Sequence, residues 1–178
     1  MPGSGENLQV EDIQSAEVLT REATPTEHAE VARVTVEGYR EYASQMSAEA
    51  WAEYETDLSD VSGRAARGVI LVAEVDGAIG GALAYVPAGR IESDWLPRDW
   101  AYFRALAVLP GNRGRGVGKA LTEACIARAR NEGAAALALH TTEGMPVARA
   151  MYERMGFVRH SERQGKTWKV WVYVMRLD

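Results

Sequence analysis

Apolar residues recur in two patterns along the chain, and together these patterns predict a mixed α/β fold. Short apolar or alternating runs predict seven β-strands, and apolar positions spaced three and four apart predict four helices. The predicted strands cover residues 17–22, 69–75, 79–86, 100–109, 134–140, 157–162 and 167–177. The predicted helices cover residues 26–39, 47–58, 116–130 and 146–156. This order of elements favours one central sheet with helices packed against it.

Turn-forming and polar residues separate these elements. Asp76-Gly77 predicts a hairpin turn between the second and third strands. The polar residues 59–68 and the segment 87–99 predict loops. Residues 1–15 predict a flexible tail, and residues 16–178 predict a single domain.

The composition excludes several classes of protein. The chain has 178 residues, of which 47% are apolar and 25% are charged, as in one globular domain. Its single cysteine allows no internal disulfide, and its three separated histidines do not form a zinc-binding pattern. The sequence has no apolar run that could cross a membrane, and residues 1–10 lack the pattern of a secretory signal. We therefore expect a cytoplasmic protein without a bound metal.

Charge is distributed unevenly along the chain. The net charge is −5, with 14 acidic and 3 basic residues in 1–60 but 11 acidic and 17 basic residues in 61–178. An acidic chain is poorly suited to binding nucleic acid, because phosphates need a basic surface. The basic part contains a glycine-rich segment, where the cations have a more specific interpretation.

A glycine-rich turn joins the fourth predicted strand to the third predicted helix at residues 109–119. Its four glycines permit tight backbone paths, and the following helix offers unpaired N–H groups and a positive dipole end. With Arg113, Arg115 and Lys119, these features predict a site for phosphate groups. An ATPase P-loop would need Gly in place of Arg113 and Ser or Thr in place of Ala120. The glycine spacing does not fit a dinucleotide-binding loop either, so both nucleotide sites are disfavoured.

Two motifs in this order resemble those of the GNAT family, the acetyl-CoA-dependent N-acetyltransferases. The first is Arg-x-x-Gly-x-Gly at residues 113–118, which follows a strand ending in Leu106-Ala107-Val108. The second is Ala-x-x-x-Tyr-x-x-x-Gly-Phe at residues 148–157. The resemblance covers roughly residues 16–178. It implies the GNAT fold, with one central, mostly antiparallel sheet that is splayed at the cofactor site and flanked by helices.

The resemblance also implies roles for individual residues. Backbone groups of Leu106 and Val108 would bind the pantetheine amides of acetyl-CoA, and backbone N–H groups from Arg113 to Lys119 would bind its diphosphate. Tyr152 would be the general acid that protonates the leaving thiolate, the alternative being an ordinary core aromatic. The implied cofactor-binding residues are Leu106, Ala107, Val108, Arg113, Gly114, Arg115, Gly116, Val117, Gly118 and Lys119.

The general base is not identified by the sequence. Many relatives have a glutamate on the fourth strand, but residues 100–109 contain no carboxylate. The candidates are Glu37, Glu41, Glu92, Asp94 and His140, and a water relay without a dedicated base is the alternative. Met145 stands where many relatives have an asparagine that contacts the cofactor, so we expect that contact to be absent. Cys125 lies mid-helix among apolar positions, and we do not expect it to carry an acyl group.

The resemblance implies a transferase that moves an acetyl group from acetyl-CoA to the primary amine of a small molecule. Transfer would be direct, with both substrates bound, and a non-catalytic acyl-CoA-binding sensor is the alternative. The first two helices and the loop before the fourth strand are rich in acidic and aromatic residues, which suits a cationic amine with an apolar body. These residues are Glu30, Glu37, Glu41, Glu49, Glu53, Glu55, Asp57, Tyr39, Tyr42, Trp51, Trp95 and Trp100. The aromatic run in 167–177 leaves a homodimer and simple core packing as open alternatives.

Overall fold

Seven strands form one sheet in the computed structural model of the chain, which describes residues 17–91 and 94–178. The predicted tail lies outside the described residues. The strands are β1 (Val18–Glu22), β2 (Val69–Val75), β3 (Ala78–Val86), β4 (Trp100–Val108), β5 (Ala136–Thr142), β6 (Val158–Gln164) and β7 (Lys169–Arg176). Their order is β1-β2-β3-β4-β5-β7-β6, and β4–β5 is parallel while the other neighbours are antiparallel. The predicted fold class is therefore confirmed.

Helices cover both faces of this sheet. They are α1 (His28–Tyr39), α2 (Ala48–Ser59), α3 (Val61–Arg67), α4 (Val117–Asn131) and α5 (Pro146–Arg154). Short 3₁₀ turns cover Pro25–Glu27, Arg40–Gln45 and Pro110–Asn112. Alternate residues of β2 point to opposite faces, so that Ile70 packs with α1 and α3 while Leu71 packs in the core that contains α4 and α5.

Helix α3 lies where the sequence predicts a polar loop, so that prediction is wrong. The Asp60 carboxylate accepts a hydrogen bond from the Gly63 N–H at 2.9 Å, which caps the start of the helix. Val61 is buried, and so is Arg64, whose guanidinium donates to the Leu58 carbonyl at 2.6 Å. The buried face of α3 therefore includes an arginine, and a count of apolar positions does not detect it.

The sheet opens between β4 and β5. The two strands pair only from Trp100 with Ala136 to Phe103 with Leu139. The next residues of β4 include Ala105, which has a φ of 54°, and the register with β3 shifts there between Ala82 and Ala84. This bulge bends the second half of β4 away from β5, and it produces the predicted splay.

The predicted strand at residues 167–177 is not at the edge of the sheet, where it could pair with a second subunit. β7 pairs with β5 on one side and with β6 on the other, so it is not an edge of the sheet. Trp168 precedes β7 rather than belonging to it. The homodimer stays a prediction, but an exposed edge at 167–177 no longer supports it.

The described helices include none that is both long and apolar enough to span a bilayer.

Candidate active site

A cleft of about 840 Å³ begins where β4 and β5 separate. Its walls come from the end of α1 and the 3₁₀ turn after it, the turn between β4 and α4, and helix α5. Past Phe103, β4 has β3 on one side, and within the described residues no strand pairs with its other side. Backbone N–H and C=O groups on that side are therefore available to a ligand in the cleft.

The turn between β4 and α4 has the geometry of an anion site. Gly114 and Gly116 have φ angles of 76° and 81°, a region that glycine adopts without steric cost. The Ala120 N–H is the first to bond back into the helix, to the Gly116 carbonyl at 2.9 Å. The preceding N–H groups at the start of α4 lack helical partners, and Gly118 and Lys119 line the cleft, so these N–H groups are available to an anion at this end.

The arginines of this turn mainly fix its shape. The Arg113 guanidinium donates to the Glu41 carboxylate at 2.8 Å and to the Gly38 carbonyl at 3.0 Å. The Arg113 N–H donates to the Pro110 carbonyl at 3.3 Å. Arg115 donates to Asp76 at 2.9 Å, and its side chain is not part of the cleft wall. The backbone and Lys119, rather than the two guanidinium groups, therefore present positive charge to the cleft.

Tyr152 lies on α5 at the point where the strands separate. Its ring contacts Phe103 and Phe157 edge to face, with both centroid distances at 5.9 Å. Burial raises the pKa of this phenol well above its usual range, so the hydroxyl keeps its proton at any physiological pH. In the part of the chain that the structure describes, no group hydrogen-bonds this hydroxyl, and Tyr152 lines the cleft.

The opposite end of the cleft has aromatic walls. Tyr39 ends α1 and Tyr42 lies in the 3₁₀ turn after it, with their ring centroids 5.9 Å apart. Trp168 lies edge-on to Tyr42 at 6.2 Å and covers Gly144 so closely that a Cβ there would come within 2.8 Å of the indole ring. The turn between β6 and β7 therefore packs behind two residues of the cleft wall, a role for Trp168 that its prediction as a strand residue does not include.

His140 lies at the same end, on β5. Its Nδ1 is hydrogen-bonded to the Tyr102 hydroxyl, and the two rings are stacked at 5.7 Å. Burial, together with the positive charges of Arg104 and Arg163, lowers the pKa of His140 to about 4. The imidazole is therefore neutral at pH 7, and it lines the cleft.

Comparison with known proteins agrees with this geometry. A model of the acetyltransferase (GNAT) family matches residues 32–157. The chain belongs to the GNAT family. A comparison with the sequences of curated proteins finds no match.

Solved structures of GNAT proteins resemble this one over most of their length. A GNAT family acetyltransferase from Brucella melitensis, in complex with acetyl-CoA, is 25% identical, with 92% of this chain and 90% of that chain covered and a TM-score of 0.62. The PaiA N-acetyltransferase from Thermoplasma acidophilum, in complex with coenzyme A, is 15% identical, with 90% and 99% covered and a TM-score of 0.73. A ribosomal-protein-alanine N-acetyltransferase from Brucella melitensis is 20% identical, with 89% and 99% covered and a TM-score of 0.68. The last two likenesses concern the fold alone.

Most residues predicted to bind the cofactor of this GNAT protein line one cleft. The residues in its wall are Leu106, Val108, Arg113, Gly114, Gly116, Val117, Gly118 and Lys119, together with Tyr152. Ala107 and Arg115 are not in the wall, because Ala107 packs against α1 and Arg115 reaches the hairpin turn at Asp76. The structure thus brings the two sequence motifs together across the opening between β4 and β5.

The candidate general bases of the GNAT protein differ in their position relative to the cleft and in their ion pairs. His140 and Glu41 line the cleft, but Glu41 is paired with Arg113. Glu37 is paired with Arg40 at 3.0 Å outside the cleft wall, and Asp94 is also outside it. Glu92 lies outside the described residues. His140 is therefore the candidate that lines the cleft without an ion pair to a basic residue.

Two further sulfur-containing residues were singled out in the sequence. Cys125 is fully buried away from the cleft wall, and burial raises the pKa of its thiol, which agrees with its exclusion as an acyl carrier. Met145 is buried at the start of α5 and lines the cleft, where a thioether cannot replace the polar contact of an asparagine. Within residues 17–91 and 94–178 no cluster of three or more potential metal ligands occurs.

The acidic residues expected at the acceptor end are mostly in ion pairs. Glu30, Glu37, Glu53 and Asp57 pair with Arg33, Arg40, Lys166 and Arg104. Of the predicted aromatic residues, Tyr39 and Tyr42 line the cleft, and Trp51 and Tyr54 pack behind Tyr39. Trp100 lies elsewhere, against His160 and Arg176. The charge pattern therefore gives little support to a cationic acceptor, whereas the aromatic pattern agrees with an apolar one.

Proposed function

We propose that this chain transfers an acetyl group from acetyl-CoA to the primary amine of a small molecule, directly and with both substrates bound. This proposal is based on the continuity of the cleft. One cavity extends from the glycine-rich turn, past the open side of β4 and Tyr152, to the aromatic end at Tyr39. An arrangement of this kind accommodates a long acyl carrier and an acceptor at the same time.

The residues of the cleft fit acetyl-CoA. The start of α4, with its unpaired N–H groups and Lys119, would hold the diphosphate. The open side of β4 at Leu106 and Val108 would hydrogen-bond the pantetheine amides. Bound acetyl-CoA supplies the activated acetyl group, and the chain supplies binding, orientation and proton transfer.

Proton transfer needs two groups of this chain. The amine must be neutral to attack, so its first proton passes to water, and the alternative acceptor is the neutral His140, which is a weak base because its pKa is lowered to about 4. A backbone N–H near Val108 stabilises the negative charge that develops on the acyl oxygen. As the C–S bond breaks, Tyr152, protonated at physiological pH, donates its hydroxyl hydrogen to the leaving sulfur, and the second proton that the nitrogen loses as the amide forms returns through water to the phenolate. The Tyr152 donor is what a sensor that only binds acyl-CoA would not need.

A thiol-release assay tests the proposal. Purified protein is incubated with acetyl-CoA and a panel of primary amines, and free thiol is measured with and without each amine. We expect release that depends on one class of amine, together with the acetylated amine in the mass spectrum. Tight acetyl-CoA binding by calorimetry without any amine-dependent release would favour the sensor instead.

A further inference from the structure

We propose that the acceptor is an amino acid, whose carboxylate is bound by Arg104 while its amino group faces the acetyl group. This inference rests on the proposed acetyltransferase function and names its substrate class. It makes Arg104 a specificity-determining residue.

Arg104 is positioned for such a contact. It is the residue of β4 immediately before the bulge at Ala105 and immediately after Phe103, whose ring contacts Tyr152. Arg104 is a residue of the cleft wall, and its side chain is 30% exposed. A carboxylate at Arg104 and an amino group near Tyr152 would therefore be bound by parts of the cleft that are close in the fold.

The hydrogen-bonding capacity of Arg104 is only partly used. Its Nη2 donates to the Asp57 carboxylate at 2.6 Å. Its Nε is buried, and among the described residues it has no hydrogen-bond partner. A guanidinium has five N–H donors in a planar fork that matches a carboxylate. Arg104 can therefore keep Asp57 on Nη2 and offer the N–H groups of Nη1, which bond to none of the described residues, to a second carboxylate.

The charges of the cleft wall favour an anionic group on the acceptor. Glu41 is the acidic residue among the described residues of the wall, and Arg113 already neutralises it. The basic residues of the wall other than Arg104 are Arg113, Lys119 and Arg154. Arg163, which stacks on Trp95 at 4.5 Å, adds positive charge near His140. Arg113 and Lys119 lie at the cofactor end of the cleft, so they do not select the acceptor. At the acceptor end a carboxylate would meet Arg104, and a polyamine would find no unpaired carboxylate among the described residues of the wall.

The aromatic walls indicate the rest of the acceptor. Tyr39 and Tyr42 line the acceptor end, and Trp168 packs edge-on against Tyr42 from outside the wall. Such surfaces favour an apolar side chain over a polar one. The structure therefore points to an amino acid with an apolar side chain.

A structural role for the Arg104–Asp57 pair is the competing explanation, since the pair links β4 to α2. The two explanations predict different effects of an Arg104 substitution on the ratio of kcat/KM for an amino acid to kcat/KM for its carboxamide. A structural link would affect all acceptors equally. A carboxylate-binding residue would affect only acceptors that carry the carboxylate.

The experiment compares L-phenylalanine, L-leucine and L-methionine, each with its own carboxamide, in the thiol-release assay. For the natural chain we expect kcat/KM to be ~10- to 100-fold higher for at least one acid than for its amide, as one charge-assisted hydrogen-bonded pair provides. Arg104→Met should reduce that ratio to about one. Asp57→Asn should keep or increase the ratio, because it removes a competing carboxylate. Arg33→Gln is the control, since Arg33 pairs with Glu30 on the exposed face of α1.

Several outcomes would overturn the inference. The first is that the natural chain acetylates the amides as fast as the acids. The second is that Arg104→Met lowers kcat/KM equally for acids and amides. The third is that Asp57→Asn lowers the acid-to-amide ratio of kcat/KM as much as Arg104→Met does. If Arg104→Met does not fold, Arg104→Lys keeps the charge without the fork, and we expect an intermediate ratio from it. Thiol release with polyamines or peptides but not with amino acids would overturn the inference and leave the proposed function standing. If no amine in the panel causes thiol release, both the inference and the proposed function are overturned.

Discussion

Gly38 lies so close to Ala107 that a Cβ on Gly38 would come within 2.9 Å of the Ala107 Cβ. The same Cβ would lie 3.1 Å from the Val108 backbone nitrogen and 3.2 Å from its carbonyl oxygen. Helix α1 therefore rests directly on the part of β4 that follows the bulge. This packing holds the strand whose open side lines the cofactor end of the cleft.

Replacing Gly38 by alanine should disturb this contact. The neighbours of the new methyl group include backbone atoms, which cannot rotate away, so α1 or β4 must shift. We expect the free energy of unfolding to fall by ~1–3 kcal/mol, less any gain in helix propensity of at most ~1 kcal/mol. We also expect a higher KM for acetyl-CoA, and urea unfolding and steady-state kinetics measure the two effects. Unchanged stability and KM would show that α1 does not constrain β4.

A second prediction concerns the glycine-rich turn. Gly116→Ala places a methyl group at a φ of 81°, which costs ~1–2 kcal/mol and favours a different path for the N–H groups at the start of α4. We expect acetyl-CoA to bind at least ~10-fold more weakly in calorimetry, which corresponds to the loss of about one hydrogen bond to a charged group.

The chain offers two matched controls for Gly116→Ala. Gly133, at the other end of α4, has a φ of 74°, and a Cβ there meets no atom within 4 Å, as at Gly116. Gly133→Ala should therefore cost similar stability without changing acetyl-CoA affinity. Gly111 belongs to the same turn as Gly116 but lacks a positive φ, and Gly111→Ala should change neither quantity. Equal affinity in all three variants would exclude the turn as the diphosphate site.

The sequence was sufficient to predict the elements that repeat a regular pattern. The strands and the longer helices were found because their apolar positions recur at fixed intervals, and the glycine-rich turn because glycines and cations are concentrated in it. Helix α3 was missed because it buries Arg64, whose Nη1 and Nη2 donate to carbonyls of α2. A pattern of apolar residues does not record such hydrogen bonds.

The acceptor end was harder to predict, since it depends on contacts between distant segments. Glu41 and Asp57 look like free acidic groups in the sequence, but Arg113 and Arg104 neutralise them in the fold. Trp168 reaches Tyr42 from the turn between β6 and β7. No local pattern reports which charges cancel or which turn folds over which helix, so the sequence suggested an acidic acceptor site.

A third prediction concerns Tyr152. Tyr152→Phe keeps the ring packed against Phe103 and Phe157 and removes a hydroxyl that no described residue hydrogen-bonds. We expect nearly unchanged stability and acetyl-CoA affinity, but a kcat lower by ~10²-fold if the hydroxyl donates to the leaving sulfur. Because burial raises the pKa of Tyr152, its ionisation should cause no loss of rate between pH 6 and 9.

Tyr173→Phe is the matched control for Tyr152→Phe. The Tyr173 hydroxyl donates to the Glu153 carboxylate at 2.6 Å outside the cleft wall, so its loss should leave kcat unchanged. A kcat for Tyr152→Phe that equals the natural value would remove the general-acid role and return Tyr152 to the core.

The last prediction concerns stability and pH. The folded chain holds the pKa of His140 at about 4, below its ordinary value of 6.5, chiefly because the imidazole is buried. Between these two pH values the unfolded chain binds a proton that the folded chain does not, so the stability from His140 is complete above pH 6.5 and is lost as the pH falls toward 4. From pH 7.5 to 5.0 we expect the free energy of unfolding to fall by ~2 kcal/mol more for the natural chain than for His140→Gln, measured by urea unfolding. The carboxyl of Glu27, whose pKa is lowered to about 2 by its hydrogen bonds to Arg21, is present in both proteins and cancels from the difference. Equal pH slopes would mean that His140 is protonated as easily in the folded chain as in the unfolded one, and that it does not stay neutral in the cleft.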